Sequence, residues 1–130
     1  MYEERQEKVF SYLQQGGIDA ALLFDFEGNR NPAVRYLTGL PMDGMVLLLK
    51  DGTTILAAWD INLAHKMAKA DEIFPFTAFN RNIVQAAGIL LKRYGFPQAG
   101  RLEMQHSASH LLVKEMKETL GKDSVFCKRE

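Results

Sequence analysis

One stretch decides the fold: Gly44-Met45-Val46-Leu47-Leu48-Leu49-Lys50-Asp51-Gly52-Thr53-Thr54-Ile55-Leu56-Ala57-Ala58-Trp59. It holds two unbroken apolar runs, 45–49 and 55–59, which are too short for surface helices and predict strands buried on both faces. Asp51-Gly52 supplies two residues that tolerate positive φ, so we predict an antiparallel hairpin closed by a two-residue turn of the primed type. The helices of the chain need a sheet to cover, which places this hairpin at the centre of an α/β domain.

Length and charge limit the class of protein. The 130 residues suit one domain, 1–130, large enough to bury roughly two thirds of its unfolded surface without disulfides or metal. The 16 acidic and 16 basic side chains leave no net charge, whereas nucleic-acid-binding proteins usually carry a basic face and a high pI. We therefore expect no nucleic-acid partner.

Cysteine usage and the lack of long apolar runs indicate the compartment. The single Cys127 has no partner for an internal disulfide, which favours a reducing environment. Residues 1–8 are mostly charged and do not resemble a signal peptide, and no apolar run approaches the ~20 residues of a membrane helix. The sequence thus predicts a soluble, cytoplasmic protein with no membrane partner.

The remaining segments predict helices and short strands around the hairpin. Apolar spacing and capping residues predict helices over 3–15, 60–70, 80–94 and 107–120, with Asp60, Asn80 and Ser107 at the start of the last three, and a helical turn over 34–39. Strands are predicted over 18–24, 72–76, 101–104 and 124–127, and Pro75 makes the second of these an edge strand or only an extended segment, because it lacks an amide donor. The sum is a three-layer α/β/α domain with a mixed sheet.

Three carboxylates near predicted strand ends raise the possibility of a nuclease. A nuclease would need the carboxylates of Asp25, Asp60 and Glu103 to converge on two metal ions, as the active-site carboxylates of the ribonuclease H architecture do. Each also has an ordinary role, as a loop acid, a helix cap or a solvated strand residue. The missing basic surface favours the ordinary roles.

Histidine and cysteine give weak signals for metal binding or catalysis. His106 and His110 have the spacing of two zinc ligands on one helix face, but Ser107 as N-cap would leave His106 outside the helix. His65 has no ligand-type partner at helical spacing, and nothing near Cys127 would activate its thiol. Glycine-rich phosphate loops are absent from the sequence, which disfavours nucleotide cofactors.

Three motifs carry a resemblance to a known family. They are Gly-Ile-Asp-Ala-Ala-Leu-Leu at 17–23, Val-Arg-Tyr-Leu-Thr-Gly-Leu at 34–40 and Gly-Arg-Leu-Glu at 100–103. Together with the order of elements, they resemble the N-terminal domain of the creatinase/prolidase family of M24 metallopeptidases, which comprises Xaa-Pro aminopeptidases, prolidases and creatinases. The resemblance covers nearly the whole chain, and departs from the family where Ala33 replaces a usual asparagine.

The resemblance implies a ribonuclease H-like fold without nuclease chemistry. In that family a separate C-terminal pita-bread domain is catalytic, and two Asp, one His and two Glu hold two divalent metal ions there, manganese, cobalt or zinc. None of these ligands has a counterpart in residues 1–130, so we expect no cofactor and no hydrolysis by this chain alone. The catalytic domain would lie outside the chain, unless the chain is a stand-alone relative.

The resemblance also implies a role for this domain in the whole enzyme. A homodimer is expected, in which loops of this domain reach the partner's pocket and help select a proline-containing peptide. Candidate residues for the pocket rim or the dimer interface are Arg35, Tyr36, Met42, Asp43 and Trp59. The aromatic side chains of Phe74, Phe76 and Phe79 could join that interface or pack beneath the following helix. The alternative functions are a stand-alone module that binds a small molecule or a protein, and the nuclease.

Overall fold

The structure is a computed structural model that describes residues 1–129, and these form an α/β fold in three layers. The helices are α1 (Tyr2–Gly16), α2 (Pro32–Thr38), α3 (Ile61–Met67), α4 (Ile83–Arg93) and α5 (His110–Leu120). The strands are β1 (Ala20–Asp25), β2 (Gly44–Leu49), β3 (Thr54–Ala58), β4 (Glu72–Pro75), β5 (Leu102–Met104) and β6 (Val125–Cys127), and a short 3₁₀ helix spans Phe76–Phe79.

The sheet is mixed, as predicted. Its strand order is β4-β3-β2-β1-β5-β6. β2 runs antiparallel to both β1 and β3, whereas β4, β5 and β6 each pair in parallel. Pro75 lies in the edge strand β4, which confirms the prediction made from its missing amide donor.

The hairpin forms the interior of the sheet, and every residue of β2 and β3 is buried. Leu47 packs in the cluster that faces α4 and α5, and Leu48 packs in the opposite cluster against α1 and α2. Both side chains have no exposed surface. Burial on both faces, predicted from the unbroken apolar runs, is therefore confirmed.

The hairpin turn differs from the prediction. The Gly52 amide donates to the Leu49 carbonyl at 2.9 Å and the Leu49 amide to the Thr53 carbonyl at 2.9 Å, which leaves three residues in the loop instead of two. Gly52 has φ of 97°, whereas Asp51 is not in the left-handed region. A primed turn needs two such residues, so the loop is instead a turn followed by one left-handed glycine. The Asp51 carboxylate accepts from the Thr53 amide at 3.0 Å, an interaction that favours this longer loop.

Three predicted helix boundaries are wrong by a few residues. Asn82, not Asn80, caps α4 by accepting from the Gln85 amide at 3.0 Å, and Asn80 instead ends the 3₁₀ helix with φ of 56°. Ser109, not Ser107, caps α5. α3 ends at Met67, before the predicted position 70, because Ala68 has extended backbone angles. Its predicted cap is correct, since Asp60 accepts from the Leu63 amide at 3.0 Å.

The two faces of the sheet are covered unequally. α4 and α5 pack over apolar residues from all the central strands and from β5 and β6. The layer of α1, α2 and α3 packs over apolar residues of β1 to β4. On that face β5 presents Glu103 instead of an apolar side chain, and an open groove lies beside α1.

Candidate functional site

Three loops meet at one end of the sheet, where β1 and β3 end and β2 begins. Asp25 pairs with Gly44, and Gly44 pairs with Ala58, so the loops 26–31, 40–43 and 59–60 leave the sheet side by side. Loops held by a rigid scaffold are common positions for binding residues. We call this region the loop end.

An arginine bridges two of these loops. Arg30 donates from Nη1 to the carboxylate of Asp43 at 2.6 Å and to that of Asp25 at 3.4 Å. The hydrogen bond to Asp43 is the main cause of the raised pKa of Arg30, because the carboxylate stabilises the charged guanidinium. The Asp25 carboxylate also accepts from the Asn31 amide at 3.0 Å. These contacts tie the loop that follows β1 to the loop that precedes β2.

The third loop joins through Trp59. Its amide donates to the Asp43 carbonyl at 3.0 Å, and its ring lies 6.3 Å from that of Phe76, centroid to centroid. The Arg81 guanidinium carbon lies 4.7 Å from the indole centroid, in a cation–π contact. Trp59 remains 47% exposed. The loop end therefore presents an exposed aromatic ring beside charged groups of both signs.

The structure divides the predicted site residues into two groups. Asp43 and Trp59 meet at the loop end, and Met42 precedes Asp43 there with 45% of its surface exposed. Arg35 and Tyr36 lie instead on α2. The Tyr36 ring is stacked 4.1 Å from the Arg5 guanidinium of α1, and its carbonyl accepts from Arg5 Nη1 at 2.8 Å.

Sequence reasoning missed a buried glutamine that supports the loop end. Gln105 is 4% exposed, and its Oε1 accepts from the Phe24 amide at 2.9 Å and from Asn31 Nδ2 at 2.7 Å. Its Nε2 donates to the Ser107 hydroxyl at 2.9 Å. Gln105 thus links the end of β5 to the loop that follows β1. A polar residue after a short strand gives no sequence signal for this role.

The three carboxylates of the nuclease hypothesis serve separate structural roles. Asp25 holds the Arg30 loop and Asp60 caps α3. Glu103 pairs in register with Ala21, four residues along β1 from Asp25, so the backbone positions of the two acidic residues are about 13 Å apart along the strand direction. Within residues 1–129 no group of three or more His, Cys, Asp and Glu side chains is placed to hold a metal ion. The two-metal centre of the resembled family therefore has no fitting donor set in this part of the chain.

The histidine pair also lacks a common helix face. His110 is the first residue of α5, whereas His106 precedes the Ser109 cap and lies in the connecting segment. The sequence prediction that a capping serine leaves His106 outside the helix is correct, although the cap is a different serine. The zinc hypothesis has no support from this arrangement.

A groove of about 750 Å³ lies between α1, α2 and β5, and we call it the α1–β5 groove. The Tyr12 hydroxyl donates to Glu103 Oε1 in it at 2.5 Å. This hydrogen bond, followed by burial and the neighbouring negative charge, raises the pKa of Tyr12. Ionising the phenol would remove the proton donor of this hydrogen bond and place two negative charges together.

Comparison with known proteins gives matches of structure. No protein-family model matches the sequence, and no curated protein of similar sequence was found. The chain is similar to an Xaa-Pro aminopeptidase from Streptococcus pyogenes, with a TM-score of 0.75 and 18% identity over 98% of this chain and 91% of that one. It is also similar to the creatinase/prolidase-like N-terminal domain of a metallopeptidase from Corynebacterium diphtheriae, with a TM-score of 0.69 and 18% identity over 97% and 93%.

A longer structure aligns only in part. An Xaa-Pro dipeptidase from Bacillus anthracis gives a TM-score of 0.75 and 20% identity, over 98% of this chain but 34% of that one. The fold predicted from the three sequence motifs is therefore confirmed as that of creatinase/prolidase N-terminal domains. Within residues 1–129 no helix is long and apolar enough to cross a membrane.

Proposed function

We propose that this chain is the non-catalytic N-terminal domain of an Xaa-Pro dipeptidase or aminopeptidase. In this proposal it contributes to dimerisation and to substrate selection at the metal-dependent active site of the full-length enzyme. The observation that carries the proposal is the match of 97% of the chain to a single N-terminal domain of this type. The loop end supplies the surface that such a role requires.

The chemistry of the loop end suits recognition of a peptide at a pocket rim. Trp59 and Met42 are exposed apolar side chains, of the types enriched at interface cores. Asp43 and Arg30 lie beside them and satisfy each other at 2.6 Å, so their loops hold a defined position before a partner arrives. Such preorganisation lowers the entropy lost on binding.

Hydrolysis is assigned to a second domain outside this chain. That domain would hold two divalent ions, manganese, cobalt or zinc, which polarise a substrate carbonyl and activate water. The purified 130-residue chain should therefore release no product from Xaa-Pro dipeptides in the presence of manganese or cobalt. Turnover that is lost on chelation and copurifies with the chain would contradict the proposal.

Substrate selection is tested in the two-domain enzyme with Met42→Ala and Asp43→Ala. Each substitution should change kcat/KM for short proline-containing peptides by about threefold to tenfold, which is the size of one lost rim contact. Metal content and the unfolding temperature should stay unchanged. Met67→Ala is the matched control, because Met67 is a methionine of similar exposure, 52%, at the end of α3 that lies away from Asp60 and the loop end. Equal kcat/KM for the wild type and both loop variants would show that this loop has no role in substrate selection.

Dimerisation is the second part of the proposal. Phe76 and Phe79 are buried beneath the α4–α5 layer, so the predicted aromatic edge is largely part of the core. The exposed Trp59 and Met42 remain as contact residues. An interface of standard size needs ~800 Å² from each partner, so the isolated domain should associate weakly and the full-length enzyme strongly. Light scattering of both proteins measures this difference, and a monomeric full-length enzyme would contradict it.

We place the enzyme in the cytoplasm.

A further inference from the structure

The α1–β5 groove carries a feature that the proposed function does not use. Glu103 and Gln105 are among its lining residues, although they are only 7% and 4% exposed. Gln105 has three hydrogen-bond partners, whereas the Glu103 carboxylate accepts one side-chain hydrogen bond, from Tyr12, within the described residues. A carboxylate can accept about four, and no buried side-chain oxygen or nitrogen of the described residues lacks a partner, so the remaining acceptor positions of Glu103 are open to the groove.

The rim of the groove has the opposite charge. Lys8, Lys128 and Arg129 line it, and none of them forms an ion pair with residues 1–129. Lys128 Nζ lies 5.2 Å from the centroid of the Tyr12 ring, so this cation lies close to the tyrosine that contacts Glu103. The fourth rim cation, Arg30, is already neutralised by its aspartates. The groove thus combines a mostly buried carboxylate with three cations that have no ion-pair partner among residues 1–129.

Apolar side chains also line the groove. Val9 of α1, Leu23 of β1 and Leu37 of α2 line the walls, and the groove holds about 750 Å³, which is within the range of small-molecule sites. A complementary ligand has a primary ammonium group for Glu103, an apolar body for the walls and a carboxylate for the rim.

We propose that the α1–β5 groove binds a zwitterionic ligand, either an apolar amino acid or a short peptide with both ends free. The ammonium group donates hydrogen bonds to the open lone pairs of Glu103, and the ligand carboxylate meets Lys8, Lys128 and Arg129. Charge-assisted hydrogen bonds of this kind are stronger than those between neutral groups. The groove adjoins the loop end, since Arg30 and Asn31 line it, but the residues proposed to hold this ligand are different from those of the substrate rim, and the proposal does not depend on the peptidase role.

A purely structural role for the Tyr12–Glu103 pair makes a different prediction. If Glu103 serves only to fasten α1 to β5, an uncharged acceptor should work equally well. Glu103→Gln keeps a carbonyl oxygen for the Tyr12 hydroxyl and removes the negative charge. Ligand binding therefore separates the two roles, provided that the variant folds, which its amide spectrum shows.

The experiment is a titration of the ¹⁵N-labelled chain, followed by amide chemical shifts. The probes are leucine and leucyl-leucine, with N-acetyl-leucyl-leucine and leucyl-leucine amide as forms that lack one charge. At least one unblocked probe should give saturable shifts at residues 8–12, 21–23 and 103–105, with a Kd on the order of 1 mM or tighter. Comparing leucine with leucyl-leucine shows which source of the shared chemistry the groove prefers.

Charge removal should then weaken binding in a defined order. Acetylation of the probe and Glu103→Gln should each weaken it by about tenfold or more, because each deletes the buried charge pair. Amidation and Lys128→Met should weaken it by about threefold, since the rim is exposed and holds further cations. Lys92→Met is the matched control, because Lys92 lines a different cleft, between α4 and α5, and it should bind as the wild type does.

Three results would overturn the proposal. They are the absence of saturable shifts with both unblocked probes, equal affinity for the acetylated probe, and wild-type affinity in a folded Glu103→Gln chain. Glu103→Ala with the same loss as Glu103→Gln supports the proposal, because both remove the charge. Inactivity of a two-domain enzyme would bear on the peptidase role alone and leave this binding test unaffected.

Discussion

The hairpin β2–β3 and the strand β5 belong to one sheet but differ in what covers them. Both faces of the hairpin strands lie under helices, and all residues of these two strands are buried and mostly apolar. β5 is buried too, but its two faces differ: Leu102 and Met104 are fully buried in the cluster that faces α4 and α5, whereas Glu103 contacts Tyr12 of α1 on the other face, beside the groove. One face of β5 therefore carries a polar contact where the hairpin strands carry mostly apolar packing.

Together with the binding proposal, this difference predicts that the hairpin mainly determines stability and the groove mainly determines ligand binding. Substitutions in the hairpin should mainly change the free energy of unfolding, because they remove apolar surface packed on both sides. Substitutions beside the groove should mainly change ligand binding. The predictions below test this separation, starting with the largest expected change in stability.

The hairpin core should be the most sensitive position. Leu47→Ala removes a side chain with no exposed surface and should lower the free energy of unfolding by about 2–5 kcal/mol, through lost apolar burial and the cavity left behind. Urea unfolding followed by circular dichroism measures the change. Leu111→Ala makes the same chemical change at a position that is 62% exposed, and it should cost less than about 0.5 kcal/mol. Equal losses in the two variants would show that the hairpin does not dominate the core.

Substitution of Gly39 should give the next largest loss of stability, because residues of α1 and α3 lie close to this glycine. It has φ of 83°, and a Cβ there would lie 2.8 Å from the Met67 carbonyl oxygen and 2.9 Å from Cζ of Tyr2. Gly39→Ala should cost about 2–4 kcal/mol, from the left-handed backbone and the overpacking together.

A second glycine separates the two contributions. Gly52 also has positive φ, 97°, but a Cβ there would have no neighbour within 4 Å. Gly52→Ala should therefore cost only about 1–2 kcal/mol, the backbone contribution. Thermal unfolding of both variants measures the difference, and a Gly52 variant as unstable as the Gly39 variant would refute the packing argument.

The sequence predicts the strands of this fold better than the ends of its helices. Unbroken apolar runs and Pro75 identify the central hairpin and one edge strand, because burial on two faces and a missing amide donor leave direct signatures. Helix caps are harder to place. Asn80 and Asn82 are both competent caps, and the choice depends on the 3₁₀ helix that packs Phe76 and Phe79 into the core.

Prediction of the candidate sites from the sequence has a similar limit. The sequence allows the proximity of Asp43 and Trp59 to be predicted, because both adjoin the hairpin, whose pairing brings them together. The Tyr12–Glu103 hydrogen bond joins residues 91 positions apart in the sequence. No local pattern encodes such a contact, since it depends on how α1 crosses the sheet. The sequence therefore gives no sign of the groove, although it offers Glu103 as a candidate metal ligand.

Tyr12→Phe should have the smallest effect and a pH dependence of its own. The hydrogen bond to Glu103 is only partly sheltered, since Tyr12 is 42% exposed, so its loss should cost less than about 1 kcal/mol at neutral pH. Because folding raises the pKa of Tyr12 above its ordinary value of 10.0, the folded state holds the phenol proton more tightly than the unfolded state does. This stabilisation is complete below about pH 10 and is lost as the pH rises through the folded-state pKa.

The difference in unfolding free energy between the wild type and Tyr12→Phe isolates this titration from those of the lysines and the other tyrosines. It should be constant from pH 7 to about pH 9 and then shrink as the phenol ionises. Glu103→Gln tests the cause, because the main reason for the raised pKa is the bond to the Glu103 carboxylate. In that background the pH-dependent part of the difference should be smaller. A difference that stays constant from pH 8 to about pH 11 would mean that Tyr12 and Glu103 are not coupled in solution. The Glu103 carboxylate would then not be held in the position that the binding proposal requires.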